Sequence, residues 1–280
     1  MTEHHAVSSE FALSSGMRCS EYELMAAVED RHWWYQGLRS SFESVLSRCG
    51  VSRTTLFNGS VLDAGCGTGG NLKWLRDTYQ PQYLTGFDVS SLAIEYVRAE
   101  VPEARLFVAD LCGSEIPSSS YQLIVCSDVL YATHLESAVE GLRTLCRQLT
   151  CGGYLLLHLP ACEWLKSSHD VAVQTRQRFT RDQVRCIVES LGLQVEFLSF
   201  RMFALFPLFI LRRLPSILSL RYLRTENRSE QSSSRGSHLK MPSSLVNWTL
   251  TQVMKLENAG LKSGVRYPWG SSLIAVGRKR

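Results

Sequence analysis

The sequence lacks the features that mark exported, membrane-spanning or metal-binding proteins. Its nine cysteines include no C-x-x-C pair and no metal-ligand spacing, so we predict neither a disulfide framework nor a zinc site. The first twenty residues lack the continuous apolar stretch of a signal peptide. An apolar run over 202–211 has ten residues, interrupted by a proline, and is too short to cross a bilayer. We therefore expect a cytoplasmic protein without a bound metal.

The composition predicts one elaborated domain and argues against a disordered chain. The 280 residues are 45% hydrophobic, which is enough to bury a sizeable core. Charge is distributed unevenly, because residues 201–240 contain eight Lys and Arg against two acids, whereas the whole chain has a net charge of +4. The rest of the chain is therefore slightly acidic.

A strand, an acid and a glycine-rich loop follow one another over 61–70, and together they predict a cofactor site. Val61 and Leu62 belong to an apolar strand, Asp63 lies near its end, and glycines follow at 65, 67, 69 and 70. Glycines allow a tight turn and let a ligand lie against peptide N–H groups. A helix that starts near Asn71 adds the positive end of its dipole.

The glycines alone do not identify the cofactor. Gly65, Gly67 and Gly70 also satisfy the dinucleotide pattern G-x-G-x-x-G, in which the loop binds a pyrophosphate. Asp63 argues against that interpretation, because a carboxylate two residues before the first glycine repels a pyrophosphate and suits an ammonium group. S-adenosylmethionine carries such a group in its methionine half.

Other predicted strands also end in acidic or polar residues. Asp88 and Asp110 each end a strand, and Ser127 and Asp128 close a further one. Asp88 is placed to accept hydrogen bonds from both hydroxyls of a ribose. Strands and helices alternate along this part of the chain, which predicts an α/β fold with a doubly wound parallel sheet.

These motifs resemble those of the class I S-adenosylmethionine-dependent methyltransferases, whose glycine motif matches Asp63–Gly69. The resemblance covers about 58–200 and returns near 271–278. It implies a mostly parallel, seven-stranded Rossmann-like sheet, with S-adenosyl-L-methionine as cofactor, S-adenosyl-L-homocysteine as product and no metal. It also implies that Asp88 binds the ribose and that Asp110 lies beside the adenine amino group.

A narrower resemblance is to a bacterial subgroup often found near glycan, lipid or natural-product biosynthesis. Its motifs here are His32–Arg39, Trp164–Asp170 and Arg178–Thr180. The aromatic cluster at 33–35 forms either a core plug or a lid over the reacting sulfonium, and the resemblance favours the lid. The residues predicted to bind the cofactor are Trp34, Tyr35, Arg39, Asp63, Gly65, Cys66, Gly67, Gly69, Asp88, Val89, Asp110, Leu111 and Ser127.

Five segments are predicted along the chain. A loose tail covers 1–18, an N-terminal helical lid 19–57 and the cofactor-binding core 58–200. A helical insertion over 201–270 precedes the last strand of the core within 271–280.

Local signals predict where several helices begin. Ser20–Glu23 and Thr180–Gln183 have the pattern of capping boxes, and Ser90 or Ser91 caps the helix after the second strand.

Glycines predict where other helices end. A helical pattern reaches Leu149, Gly152–Gly153 interrupts it, and a fifth strand is expected over 154–159. Ser243 caps a later helix that ends before Gly260.

The insertion separates the last two strands, which usually form a close antiparallel pair in the family that the motifs resemble. Its 202–224 part is basic and amphipathic. Three interpretations stay open: a cap over an acceptor pocket, a surface that docks on a membrane or a lipid-like acceptor, and a dimer surface. The cap is preferred. Nucleic acid is the least expected partner, because leucines and not aromatic residues lie between the arginines.

Methyl transfer from a sulfonium is an in-line displacement, so the protein must align the acceptor, exclude water and deprotonate an acceptor hydroxyl. His169 is the preferred base, because it follows the carboxyl end of the fifth strand, beside Asp170. Tyr131 and His134, after the fourth strand, are further candidates for the acceptor site. His158 lies within an apolar strand and is interpreted as structural.

The predicted function is methyl transfer to a small-molecule acceptor, such as a natural product or a glycan or lipid precursor. Two alternatives stay open, a nicotinamide-dependent oxidoreductase and a non-catalytic module that kept the cofactor fold. Asp63 disfavours the oxidoreductase, for which the sequence also shows no hydride-relay residues.

Overall fold

The computed structural model describes residues 19–113, 120–131, 134–165, 176–211 and 241–280. Its strands are β1 (Ser60–Ala64), β2 (Tyr83–Asp88), β3 (Arg105–Val108), β4 (Tyr121–Ser127), β5 (Leu149–Pro160), β6 (Leu193–Arg201) and β7 (Ser272–Lys279). Its helices are α1 (Cys19–Val28), α2 (Trp33–Arg48), α3 (Arg53–Leu56), α4 (Gly70–Tyr79), α5 (Ser91–Glu100), α6 (Leu135–Arg147), α7 (Arg181–Ser190) and α8 (Ser244–Ser263). Residues 206–211 are also helical. Within these described ranges, no helix is long and apolar enough to cross a membrane.

The seven strands form one sheet in the order β3-β2-β1-β4-β5-β7-β6. Pairing is parallel from β3 to β5, and β7 runs antiparallel between β5 and β6. The predicted mostly parallel, doubly wound sheet is therefore confirmed. In this sheet β2 lies on one side of β1 and β4 lies on the other. The order of the strands therefore reverses at β1, and such a reversal opens a crevice at the carboxyl ends of these strands.

Helices cover both faces of the sheet. On one face α6 and α7 pack through buried side chains such as Leu142 and Val184. On the other face α2, α4 and α5 do so through Phe42, Leu72 and Val97. Each fully buried side chain of this size contributes about 1.5–3 kcal/mol, so these two clusters hold the strands that form the crevice.

Helix α8 from the insertion packs against α2 from the N-terminal segment. A Cβ atom added to Gly37 would lie 3.0 Å from the Met254 side chain, so the two helices approach closely at this glycine. The Asn258 side chain donates a hydrogen bond to the carbonyl oxygen of Gly37 at 3.0 Å. The two segments that flank the core in sequence therefore form one layer in the structure.

The capping predictions are confirmed at two positions and wrong at one. The Ser90 side chain accepts a hydrogen bond from the Ala93 amide, and Thr180 and Gln183 form the reciprocal capping box. Ser20 is not a cap, because the backbone is already helical at Cys19.

The prediction that Gly152–Gly153 separates a helix from the fifth strand is wrong. Helix α6 ends at Arg147, and β5 begins at Leu149 and runs through both glycines. Gly152 has a φ of +79°, and the pairing of β4 with β5 shifts register between Tyr121 and Leu123. These glycines therefore accommodate an irregularity within the strand.

The predicted end of the last helix before Gly260 is also wrong. Helix α8 continues to Ser263, where Gly264 adopts a left-handed φ of +100°. Gly260 therefore lies inside the helix. Glycine is needed at this position because a Cβ would come within 2.2 Å of the Tyr267 hydroxyl oxygen. The third strand is shorter than predicted as well: β3 ends at Val108, two residues before Asp110.

Close packing of α6 on Leu111 yields a stability prediction. A Cβ at Gly141 would lie 2.1 Å from the carbonyl oxygen of Leu111. We expect Gly141→Ala to lower the free energy of unfolding by about 1–3 kcal/mol, because overpacking outweighs a gain of about 1 kcal/mol in helix propensity. Urea denaturation measures the change. Ser137→Ala, at an exposed position of the same helix, is the control, and equal stability of the two variants would contradict the packing.

Candidate functional site

The loop between β1 and α4 turns through glycines and is held against β2. Gly65, Gly67 and Gly69 have φ angles of +76°, +53° and +97°, in the left-handed region that favours glycine. The amides of Gly65 and Cys66 donate to the carbonyl oxygen of Phe87 at 2.8 and 2.9 Å. Helix α4 starts directly after this loop, so its free N-terminal amides lie at the crevice.

Asp63, on β1, carries a buried carboxylate with 0% exposure. Neither of its oxygens has a hydrogen-bond partner at normal distance among the residues that the structure describes, although the Asn71 side chain lies close enough to interact weakly with them. Burial, and then the Asp88 and Glu29 carboxylates, raise the pKa of Asp63 to about 8, and the Asn71 side chain opposes part of this rise. A buried polar group without a partner is unfavourable. A cation or hydrogen-bond donor from a ligand would therefore stabilise this site.

Asp88 ends β2, as predicted, and its carboxylate is oriented by the protein. Oδ2 accepts a hydrogen bond from the Gly67 amide at 2.9 Å, and Oδ1 accepts from the Ser90 amide at 2.9 Å and the Tyr22 hydroxyl at 3.2 Å. Burial raises the pKa of Asp88, although these hydrogen bonds oppose the rise. A ribose at this carboxylate must share Oδ1 with Tyr22 or displace it.

Helix α1 and Glu29, which follows it, cover the glycine loop. Glu29 Oε1 accepts a hydrogen bond from the Thr68 hydroxyl at 2.8 Å. A Cβ at Gly70 would lie 2.3 Å from Glu29 Oε2, and a Cβ at Gly67 would lie 2.8 Å from Met25 Cε. These side chains occupy space above the loop, so a ligand there would have to displace the Met25 and Glu29 side chains.

The Trp34 ring, on α2, lies towards β5 and β6, whereas the neighbouring Tyr35 side chain is also within electrostatic reach of Glu29, which lies over the glycine loop. The Trp34 ring is 6.3 Å from the His158 ring on β5, and 5.8 Å from the guanidinium carbon of Arg201 at the end of β6. The rings of Trp34 and Tyr35 meet edge-on at 4.8 Å. The aromatic cluster therefore packs beside His158 and Arg201 at the carboxyl ends of β5 and β6.

His158 and Asp128 form a pair at the carboxyl ends of β5 and β4. His158 Nδ1 lies 2.8 Å from Asp128 Oδ2, and the two side chains are 1% and 27% exposed. Asp128 has a φ of +59°, which is uncommon outside glycine and clusters at functional sites. Nε2 of His158 is buried and has no hydrogen-bond partner within the described ranges. An imidazole oriented in this way by a carboxylate suits general-base catalysis.

The other residues predicted to bind the cofactor lie around the same edge. Arg39 Nη2 donates to the Glu29 carbonyl oxygen at 2.6 Å, which ties α2 to the end of α1. Val89 is 38% exposed just after β2. The thiol of Cys66 is buried, and burial raises its pKa well above the usual value.

Three further predicted residues lie after β3 or at the end of β4. Asp110 Oδ1 accepts a hydrogen bond from the Cys112 amide at 2.9 Å, and Leu111 is buried. The Ser127 hydroxyl donates to Asp128 Oδ2 at 3.1 Å. Ser127 therefore supports the carboxylate that orients His158.

Of the three predicted catalytic residues, the structure describes Tyr131 and His134, and both contact Arg176. His169 lies outside the described residues. His134 is exposed at the N-terminus of α6, and its Nε2 lies 3.3 Å from Arg176 Nη1. Tyr131 packs partly against the core, and its carbonyl oxygen accepts a hydrogen bond from the Arg176 amide.

Several residues of the site could not be predicted from the sequence. Tyr22 and Glu29 reach the glycine loop only through the docking of α1. Asp128 meets His158 because β4 and β5 pair with Ser127 opposite His158. The sequence shows an acid directly after one strand and a histidine in the next strand. It does not show which residues of the two strands lie opposite each other.

Comparison with known proteins identifies the domain around this site. A family model described as "Methyltransferase domain" matches residues 61–153. Trans-aconitate 2-methyltransferase of Delftia acidovorans (strain DSM 14801 / SPH-1) is 31% identical over 105 residues, which are 36% of this chain. The match spans 37% of that protein's length.

Solved structures of low sequence identity share the fold. One is the complex of the Haloferax volcanii Trm112 methyltransferase activator with a methyltransferase, with a TM-score of 0.55, 19% identity and coverage of 92% of this chain and 96% of that chain. Another is the plantazolicin methyltransferase BpumL in complex with a pentazolic desmethylPZN analog and SAH, with a TM-score of 0.57, 13% identity and coverage of 94% and 91%. Residues 61–153 therefore match the methyltransferase-domain model, and the chain has the fold of the class I S-adenosylmethionine-dependent methyltransferases, as the sequence predicts.

Proposed function

We propose that this chain transfers a methyl group from S-adenosyl-L-methionine to a small-molecule acceptor, such as a natural product or a glycan or lipid precursor. The observation that carries the proposal is the buried, unpartnered carboxylate of Asp63 beside the glycine loop. Asp88 suits the ribose of a nucleoside cofactor, and Asp63 favours a cofactor that is also cationic. S-adenosyl-L-methionine has both properties.

The residues at the crevice fit this cofactor. Asp63 offers two free acceptors to the ammonium side of the methionine part, and Asp88 is oriented to accept from ribose hydroxyls. Asp110, after β3, is the candidate partner of the adenine amino group. When bound, the cofactor supplies an electrophilic methyl group on a sulfonium. The chain's own residues align the acceptor and exclude water.

The oxidoreductase alternative has no support. A nicotinamide dinucleotide would place its pyrophosphate against the loop, beside the Asp88 carboxylate and beside Asp63, whose ionisation the phosphates would oppose further, and this is electrostatically unfavourable. The compared proteins are methyltransferases. A non-catalytic module is the remaining alternative, and the His158–Asp128 pair argues against it.

A small acceptor is supported by the proteins to which the chain is similar. The Delftia relative is named for trans-aconitate. A Galdieria sulphuraria structure with a TM-score of 0.54 and 12% identity is named for sarcosine and dimethylglycine. We carry over to this chain only the small size of the acceptor.

The start of the insertion supports its role as a cap. Met202 and Leu205 are buried and form a cluster with Met254, on α8, and Trp34 packs against this cluster. Phe206 is 7% exposed, and its ring lies 5.9 Å from that of Trp164. The chain after β6 therefore returns to the edge of the crevice. The arginines of the basic segment from 212 onwards lie outside the described residues, and membrane or dimer contact stays an alternative.

We propose His158 as a base for a hydroxyl acceptor, beside the sequence-based candidate His169. If Nδ1 of His158 donates to Asp128, Nε2 is free to accept a proton. In this scheme Asp128 fixes the imidazole and stabilises the charge that forms on it.

The first prediction concerns ribose binding. Asp88→Ala should weaken S-adenosyl-L-methionine binding by about 1.5–3 kcal/mol, as is typical of hydrogen bonds to a charged group. Isothermal titration calorimetry measures the difference. Asp77→Ala, which removes an exposed acid on α4, is the control and should leave affinity unchanged. Equal affinities of the two variants would contradict the assignment of Asp88.

A second prediction follows from the raised pKa of Asp63, about 8. A bound cation favours the carboxylate and lowers this pKa, so the free protein holds more protons than the complex below pH 8. Affinity for S-adenosyl-L-methionine should therefore rise between about pH 6 and 7.5, by up to about tenfold per pH unit. Asp63→Asn should lose this rise, and the same slope in both proteins would show that Asp63 does not face the cation.

A third prediction separates the two candidate bases. With a hydroxyl acceptor, His158→Gln should lower turnover by about 10²–10⁴-fold and leave cofactor affinity nearly unchanged, because a base acts in the transition state. His169→Ala is the matched comparison. A large loss in the His169 variant alone would move the role to His169, and normal turnover in both would remove histidine from the mechanism.

A further inference from the structure

Arg201, the last residue of β6, is a fully buried cation whose hydrogen-bonding capacity is mostly unused. Its exposure is 0%, and its Nε and Nη1 atoms have no hydrogen-bond partner among the described residues. Its Nη2 makes one long contact, 3.4 Å, to the Trp34 carbonyl oxygen. Buried arginines are normally paired, so this side chain calls for an explanation.

The acids that act on Arg201 electrostatically are engaged by other groups. Glu257 and Asp128 favour its charged form, while burial opposes it and lowers its pKa to about 10. The Glu257 oxygens accept hydrogen bonds from the Met202 and Ala204 amides at 2.6 and 3.0 Å. Asp128 accepts from Ser127 and faces His158. The guanidinium thus remains charged at neutral pH, and its Nε and Nη1 groups have no hydrogen-bond acceptor among the described residues.

Two further unsatisfied polar groups lie on the same face of the sheet. Ser272 is the register partner of Arg201, and His158 pairs with Ile274, two residues further along β7. Side chains at these positions share one face because strand side chains alternate. Ser272 Oγ and His158 Nε2 are buried and have no hydrogen-bond partner in the part of the chain that the structure describes. Unsatisfied groups converging from three neighbouring strands indicate a ligand site.

We propose that Arg201 and Ser272 bind a carboxylate group of the acceptor, so that the chain selects acidic acceptors. This inference rests on the proposed methyltransferase function and deepens it. The planar guanidinium fork matches the two oxygens of a carboxylate, and the Ser272 hydroxyl supplies a further donor. The Trp34 ring beside the guanidinium shields the pair from water.

The position of this subsite fits the reaction geometry. The cofactor residues Asp63 and Asp88 lie on β1 and β2, His158 lies on β5, and Arg201 lies across β7 on β6. A carboxylate held by Arg201 would therefore lie two strands from His158, on the side away from the cofactor residues. Arg201 is therefore a specificity residue, and the reacting atom lies elsewhere on the acceptor.

A binding experiment with matched probes tests the subsite. Citrate, trans-aconitate and benzoate, each beside its amide, are titrated into protein loaded with S-adenosyl-L-homocysteine, and dissociation constants are measured by NMR. At least one acid should bind wild type about 10–100-fold more tightly than its amide, and Arg201→Met should remove that preference. Arg266→Met is the control, since Arg266 also lies over an aromatic ring, that of Phe197, but is exposed, and it should keep the preference.

Each outcome decides the inference. Equal binding of acid and amide by wild type, binding of no acid at all, or an unchanged preference in folded Arg201→Met overturns the subsite. If Arg201→Met does not fold, Ser272→Ala should weaken the acid by about 2–10-fold, and an unchanged value overturns the proposal. Cofactor affinity, measured on the same samples, should stay within about twofold of wild type. Loss of cofactor binding by wild type would contradict the methyltransferase function itself, which separates the two failures.

Discussion

An acid that is buried without a partner constrains the whole cofactor side of this protein. The Asp63 carboxylate lies at the end of β1, with Asp88 and Glu29 raising its pKa further. Fully buried acids are unfavourable unless they are paired or neutralised. Asp63 lies where the glycine loop, the start of α4 and the end of β2 meet. A cationic ligand would stabilise the ionised form of Asp63, whereas a ligand that carries a pyrophosphate would destabilise it.

The acceptor side is built from parts of the chain that are distant in sequence. Helix α2 and helix α8 pack through Gly37, Met254 and Asn258. This contact places Trp34 beside His158 and Arg201. Trp34 and Arg201 are 167 residues apart in the sequence. Helix α2 and helix α8 therefore form one structural layer. Helix α1 and Glu29 cover the glycine loop with the Met25 and Glu29 side chains.

The sequence predicted the sheet and the glycine loop well, because these depend on local signals. Asp63 and the glycines after it define a strand, a turn and a helix start by themselves, and Asp88 lies at a strand end. Gly152 and Gly260 misled the prediction, because a glycine also marks a strand irregularity or a close helix contact. Asp128, His158 and Arg201 meet through strand register and helix docking, which no local pattern encodes.

Direct titration of the purified chain with S-adenosyl-L-methionine and with NADH tests the central claim, that Asp63 selects a cationic nucleoside cofactor. Calorimetry at neutral pH should show one molecule of S-adenosyl-L-methionine bound per chain, with release of protons that is detectable in buffers of different ionisation enthalpy. NADH should neither bind nor compete. Tight binding of NADH together with no binding of S-adenosyl-L-methionine would contradict the account.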